Sequence, residues 1–354
     1  MHALRAVSAL LIVCFHLGIL FHRVGLPTFG LFGIDLFFVL SGFVMIESTR
    51  NGRRSPRSFL ARRVIRVVPA YWLATGLVLS YRGISGHSTS ISAILKALFF
   101  IPTGSPERGF VPVLQVGWTL NYEMAFYVLF AGALGFAGWL TTRLTVADGK
   151  ASSRTWILAV AAPVVFGLVT AVVFGRMATP PSNSLAAFFT DPLVLDFALG
   201  VLAAVAIGRT DVEMARRWAW PASAVAASSF LAVLCEPDYQ EHLLRLALIG
   251  VPCALVVAAL AVMERSGLRI RRPWLLGLGD ASYSIYLIHL FVTERAIHWA
   301  KGSDLGFAAT IALVGSAIAA SCLAGLIFHR AVERPITAWL GSKRGSDSRA
   351  PASP

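Results

Sequence analysis

Ten apolar stretches, each near the ~20 residues a helix needs to cross the hydrocarbon core of a bilayer, constrain this chain more than any other feature. They run over 3–22, 29–47, 65–82, 117–140, 155–175, 185–207, 218–235, 243–264, 281–300 and 307–329. The third is short and starts in arginine-rich sequence. Ile94–Ile101 is apolar but too short to span, so it reads as a re-entrant or interfacial segment. Charged residues make up 14% of the chain, against roughly 25% in a soluble domain, and the deficit is spread along its whole length. The expected fold is an all-α integral membrane protein, a bundle of about ten transmembrane helices.

Basic residues are retained on the cytoplasmic side of such bundles. With the N-terminus inside, 23 of the 31 lysines and arginines fall on the inner side and 8 on the outer. Both termini are therefore expected in the cytoplasm, and the protein in the cytoplasmic (inner) membrane. The net charge of +13 is then topological. No zinc knuckle or aromatic-basic RNA motif accompanies it, which argues against a nucleic-acid partner. Arg5 and the apolar run Ala9–Phe15 resemble a signal peptide. No small-residue cleavage site follows, and His16 interrupts the run, so the segment reads as a retained first span. Residues 1–335 form the expected transmembrane domain, and 336–354 a solvated, disordered cytoplasmic tail. Cys14, Cys235, Cys253 and Cys322 are dispersed in apolar stretches, which suits packing rather than disulfides or a metal.

An ionisable side chain inside a span costs at least about 2.5–3.5 kcal/mol on insertion scales and marks a candidate functional site. The first span carries Arg5 and His16. At about 100° per residue they lie on one helix face, roughly 16 Å apart. His16 suits a base near neutral pH, or a satisfied core histidine. Asp35 sits near the outer end of the second span, where it orients His16, binds a substrate hydroxyl or is an interfacial carboxylate. Arg62, Arg63 and Arg66 share a helix face. Three guanidiniums there suit a polyphosphate, bound bidentately, and equally a positive-inside signal or anionic lipid. Tyr71 follows Pro69. Trp118 fits an interfacial belt, and Glu123 is expected in the outer half, level with His16. Tyr286 and His289 share a face of the ninth span. Glu333 and Pro335 close the tenth, with Glu333 available to the arginines. No P-loop, dinucleotide fingerprint, zincin or nucleophile-elbow motif is present, and no metal is expected.

These pieces resemble the acyltransferase family 3 membrane proteins, especially the branch that acylates exopolysaccharides. The matching segments are Leu4-Arg5 through Phe15-His16, Gly33-Ile-Asp35 through Gly42-Phe43, and Arg62-Arg63-Val-Ile-Arg66 with Pro69-Ala-Tyr71. They continue with Trp118-Thr-Leu-Asn-Tyr-Glu123-Met-Ala-Phe-Tyr127, Tyr283-Ser-Ile-Tyr286-Leu-Ile-His289 and Val332-Glu333-Arg-Pro335. They arrive in the family's order and cover nearly the whole chain. Thr119 departs from the family's frequent serine.

The resemblance implies ten core spans and O-acylation, often by acetyl, of a glycan, exopolysaccharide or glycolipid hydroxyl. Acyl-CoA, expected as acetyl-CoA, is the implied co-substrate on the cytoplasmic side. Arg62, Arg63, Arg66 and Tyr71 are the expected CoA contacts. His16 is the implied key catalytic residue, as general base or as acyl carrier, supported by Arg5, with Asp35 or Glu123 orienting it or the acceptor. Trp118, Tyr286 and His289 are the expected acceptor contacts. A proton-coupled transporter or flippase of a glycan precursor also uses intramembrane His, Asp and Glu residues. It has no need of the arginine segment.

Overall fold

A computed structural model describes residues 1–27, 30, 32–50, 55–105, 109–148, 152–177, 184–208, 213, 217, 220, 221, 224, 225, 227–229, 242–267 and 272–347. The described chain is helical almost throughout, apart from a two-residue antiparallel ladder pairing Gly104–Ser105 with Gly109–Phe110. Among the described residues, seven helices are long and apolar enough to cross a membrane, so this is a multi-pass membrane protein. The helices Pro273–Asp280 and Ser282–Lys301, bent by 76° at Ala281, count as an eighth span if taken together.

The expected spans map onto this set with instructive differences. The first is split: His2–His16 ends at Leu17, and a separate helix runs Gly18–Arg23. The third, the weakest in sequence, is a continuous 29-residue helix, Pro56–Ile84, with Pro69 inside it. Its arginines lengthen the helix instead of forming a loop. The sixth is broken into Ser184–Phe189 and Val194–Ile207. The seventh, 218–235, lies largely outside the described residues. The apolar segment 94–101 overlaps a short helix, Ile91–Leu98, and the Trp72 indole donates to the Leu98 carbonyl at 2.9 Å, tying it to the third span. The helix Arg334–Asp347 runs into what the sequence reads as a disordered tail; 348–354 lie outside the described residues.

Phe32–Arg50 is the most buried span. It crosses Val194–Ile207 almost backbone to backbone. A Cβ at Gly42 would run into the Phe197 carbonyl, and one at Gly200 into the Val39 carbonyl. Small residues permit such approaches, because without a hydrophobic drive between helices in lipid, close packing supplies the attraction. Gly33 packs less tightly, against Ile12 and Ser8 of the first helix, and the Ser8 hydroxyl donates to the Gly33 carbonyl at 2.6 Å.

Candidate active site

Two openings, at opposite ends of the bundle, frame the polar interior. The first is a broad basic cleft at the end that carries the N-terminus. Arg57, Arg62 and Arg66 reach it from the start of the Pro56–Ile84 helix, and Arg334 from the far end of the chain. Positions 62 and 66 are one helical turn apart, so both side chains face the same opening. Arg62 Nη2 contacts the Ser58 hydroxyl at 3.4 Å. Arg5 also borders the cleft, as do Glu333 and His329.

Arg5 and Arg66 belong at the same time to an inner cavity, with Arg63, Glu123 and Tyr127. The Arg63 guanidinium stacks 5.4 Å from the centroids of both the Phe59 and the Tyr127 rings. The Tyr127 hydroxyl donates to Glu123 Oε1, while Glu123 Oε2 is buried without a hydrogen-bond partner among the described residues. Three cations therefore surround one buried carboxylate. Glu123 is thus not level with His16 as the sequence suggested. The segment before its helix is itself buried, with Leu114 and Val116 in the core. The helix therefore starts below the surface, and Glu123 falls deeper, beside Arg5.

From this cavity a narrower space continues past Ser8, Ile12 and Phe37 to Tyr286, again sharing Arg5 and Tyr283. The Tyr286 hydroxyl donates to the Val116 carbonyl at 2.7 Å and bonds the Thr119 hydroxyl. Thr119 thus supplies a hydroxyl where the family often has serine. One turn further along, the His289 ring lies 5.0 Å from the ring of His16, centroid to centroid. His289 is fully buried and His16 half-buried.

Four expected site residues are placed elsewhere. Arg63, expected on one face with Arg62 and Arg66, lies about 100° around the helix from Arg62, lines the inner cavity and does not line the basic cleft. Asp35 is fully buried and accepts from Arg245 Nε and Nη2. No hydrogen bond among the described residues joins it to His16 or Glu123. Tyr71, expected among the CoA contacts, is buried against Phe100, ring centroids 4.9 Å apart, and does not line the basic cleft. It lies five residues beyond Arg66, where the helix has entered the core. Trp118 packs edge-on against Tyr122 at 6.1 Å, outside the polar cavities. Glu333 accepts from the Ser284 hydroxyl at 2.6 Å and is 2.9 Å from His329 Nδ1, rather than pairing with an arginine of the third span. Its neighbours follow from a π-helical turn over His329–Glu333. The sequence reading gives Tyr127 no role beyond its place in the matching segment, although its position four residues after Glu123 is a legible signal.

The second opening lies at the other end of the bundle. Tyr81, Arg82, Gln115, Glu294, Arg295 and His298 line it. Its floor includes Leu290, next to His289, and Leu114, two residues before the Val116 carbonyl that holds Tyr286. Among the described residues, no group of three or more His, Cys, Asp or Glu side chains is placed to hold a metal ion.

Residues 1–329 match the family model described as an acyltransferase domain. The exopolysaccharide production protein ExoZ of Rhizobium meliloti (strain 1021) is 32% identical over 323 residues, which are 87% of this chain and 90% of that protein. The acyltransferase MdmB of Streptomyces mycarofaciens is 28% identical over 90% of this chain and 84% of its own. Nodulation protein 10 of Rhizobium leguminosarum bv. viciae is 26% identical over 75% of this chain and 73% of its own. No solved structure matches the chain significantly.

Proposed function

The chain belongs to the acyltransferase family whose domain it matches over 1–329 and is an O-acyltransferase, and we propose that it acetylates a hydroxyl of an exopolysaccharide or its lipid-linked precursor from acetyl-CoA. In this reading ten spans lie in the cytoplasmic membrane with both termini inside. Residues 1–335 form the catalytic domain, and the chain beyond it is a cytoplasmic appendage. The polysaccharide acceptor is suggested by the similarity to ExoZ, an exopolysaccharide production protein.

The observation that carries the reading is the shared lining of successive spaces. The open basic cleft, the cavity at Glu123 and the space at Tyr286 all include Arg5. A charged nucleotide suits the first, where Arg57, Arg62 and Arg66 bind phosphate oxygens. A slender uncharged arm suits the second and third. The thioester end then comes to rest near His16, with the acceptor entering from the opposite opening. A transporter has no use for a cluster of guanidiniums at one mouth, so this arrangement favours the enzyme.

His16 acts as general base. It takes the proton of the sugar hydroxyl as that oxygen attacks the thioester carbon. The C–S bond breaks, and His16 returns the proton to the departing thiolate of CoA. General-base catalysis of this kind contributes about 10²–10⁴-fold. Arg5 and Glu123 line the arm's path, and Arg5 balances the carboxylate electrostatically. The test measures CoA release and acceptor mass in membranes bearing the wild-type protein or His16→Ala. The donor is acetyl-CoA and the acceptor is polysaccharide extracted from the host envelope. Histidine-dependent CoA release with a mass gain of one acetyl is expected. Undiminished transfer by His16→Ala removes His16 from the mechanism.

A further inference from the structure

His289 contains a buried acceptor with nothing to accept. Its Nδ1 is 2.8 Å from the Tyr286 carbonyl and 3.3 Å from that of Ile285. A carbonyl only accepts, so Nδ1 carries the proton and donates it. In a neutral imidazole Nε2 is then a bare lone pair. That Nε2 is buried and has no hydrogen-bond partner among the described residues. Burial of the whole side chain disfavours the doubly protonated ring as an alternative, because an isolated cation is costly to desolvate.

Two side chains with polar ring atoms touch the His289 ring. Tyr286, at 5.9 Å between centroids, has its hydroxyl committed to the Val116 carbonyl. His16, at 5.0 Å and tilted by 51°, has ring contacts only with Phe15 and His289 among the described residues. An imidazole beside a lone pair has an N–H to offer it.

We infer that His289 is a positioning residue: a small turn of the His16 ring within this 5.0 Å contact lets Nε2 accept its N–H, which fixes the tautomer in which the other nitrogen of His16 is the free base. Donation from His289 Nδ1 to the Tyr286 carbonyl sets the first ring, and the first ring sets the second. The backbone of the Ser282–Lys301 helix thus orients the base on the first helix with no carboxylate involved. Of the two carboxylates that sequence offers for this task, Asp35 is occupied by Arg245, and Glu123 lies in the inner cavity and accepts from Tyr127. The inference rests on the reading of His16 as base, and it makes His289 part of the machinery rather than an acceptor contact.

The test compares two amides at position 289 in the full chain in lipid bilayers. His289→Asn keeps a donor near the position of Nδ1 but has no acceptor at Nε2. His289→Gln places its carboxamide oxygen near Nε2. With ¹⁵N-labelled histidine, magnetic resonance of the wild type is expected to show His16 as one neutral tautomer. His289→Asn should make it a mixture, and His289→Gln should restore it. Turnover of acetyl-CoA with envelope polysaccharide should follow. His289→Asn is expected to lower kcat roughly 10- to 100-fold, the loss seen when a partner that orients a metal-bound histidine is removed, with KM for acetyl-CoA unchanged. His289→Gln should recover most of the loss.

A His16 spectrum indifferent to His289→Asn overturns the inference, as does an equal loss in both variants. If neither variant inserts, a mixture of His16 tautomers in the wild type overturns it and a single tautomer supports it. Full turnover by His16→Ala would instead defeat the general-base reading, while the spectrum still decides whether the two rings are paired.

Discussion

Asp35 and Arg245, separated by most of the length of the chain, form a two-point ion pair in the bundle interior. Nε lies 3.1 Å from Oδ1 and Nη2 2.8 Å from Oδ2. The Asp35 side chain is 1% exposed and that of Arg245 20%. Asp196, itself buried, and Asp191 lie within electrostatic reach of the same guanidinium. One cation therefore serves several carboxylates at this level of the bundle.

Removing one member of a buried pair costs about 3–5 kcal/mol, because the partner stays buried and uncompensated. The clustering predicts an order. Arg245→Met leaves Asp35 and Asp196 together without a cation. Asp35→Asn leaves Arg245 still facing Asp196. Thermal unfolding of the solubilised protein should show Arg245→Met as the more damaging change. An Asp35→Asn protein of normal stability but lost turnover would return Asp35 to the chemistry.

Tyr127 and Glu123 give a second stability prediction. The Tyr127 hydroxyl donates to Glu123 Oε1, and Oε2 is already without a partner. Tyr127→Phe deletes the one hydrogen bond that this buried carboxylate makes among the described residues, and bonds to charged groups contribute about 1.5–3 kcal/mol. A loss of that size in unfolding free energy is expected. Glu123→Gln should lose turnover as well, since it leaves Arg5, Arg63 and Arg66 without their shared counter-charge. Equal turnover in wild type and Glu123→Gln would show the carboxylate to be architectural only.

Much of this was legible in sequence, and the failures have physical causes. Apolar runs located most spans because a bilayer demands length and apolarity and little else. The third span looked weak because arginines occupy its start, yet those arginines face an opening and leave the helix intact. His16 and His289 were each singled out as ionisable groups in spans. Their mutual contact was not foreseen, because it depends on how the first helix meets the Ser282–Lys301 helix. Asp35 was misread for the same reason, since nothing in the local sequence points to Arg245. Glu123 was set at the wrong depth because the preceding loop folds inward, which an apolar count does not reveal.

The crossing of Phe32–Arg50 with Val194–Ile207 predicts a sharp contrast between glycines. Gly200→Ala would drive a methyl into the Val39 carbonyl, which is backbone and unable to yield cheaply. Overpacking typically costs about 1–3 kcal/mol and sometimes more, and the high value is expected here. Gly132→Ala has nothing within 4 Å and serves as the control. In an exposed stretch of helix it should be neutral or slightly stabilising. Expression and thermal midpoint of the two variants measure the difference, and similar values would mean the helices cross less closely.

The basic cleft predicts a separation between two donors. Acetyl-pantetheine carries the thioester and the slender arm of acetyl-CoA but lacks the nucleotide with its phosphates. Arg62 lines the open cleft and not the inner cavity, whereas Arg66 lines both. If Arg62 binds phosphate, Arg62→Ala removes binding that is uniform between ground and transition states. KM for acetyl-CoA should then rise about 10-fold, equivalent to about 1.4 kcal/mol, with kcat unchanged. KM for acetyl-pantetheine should not move. Arg66→Ala should raise KM for acetyl-CoA in the same way and also lower kcat with both donors, because its second position lies on the path of the arm beside Arg5 and Glu123. Steady-state kinetics with both donors read these effects separately. If Arg62→Ala raises KM equally for the two, the arginines do not hold phosphate, and the cleft is a lipid-facing or topological feature instead.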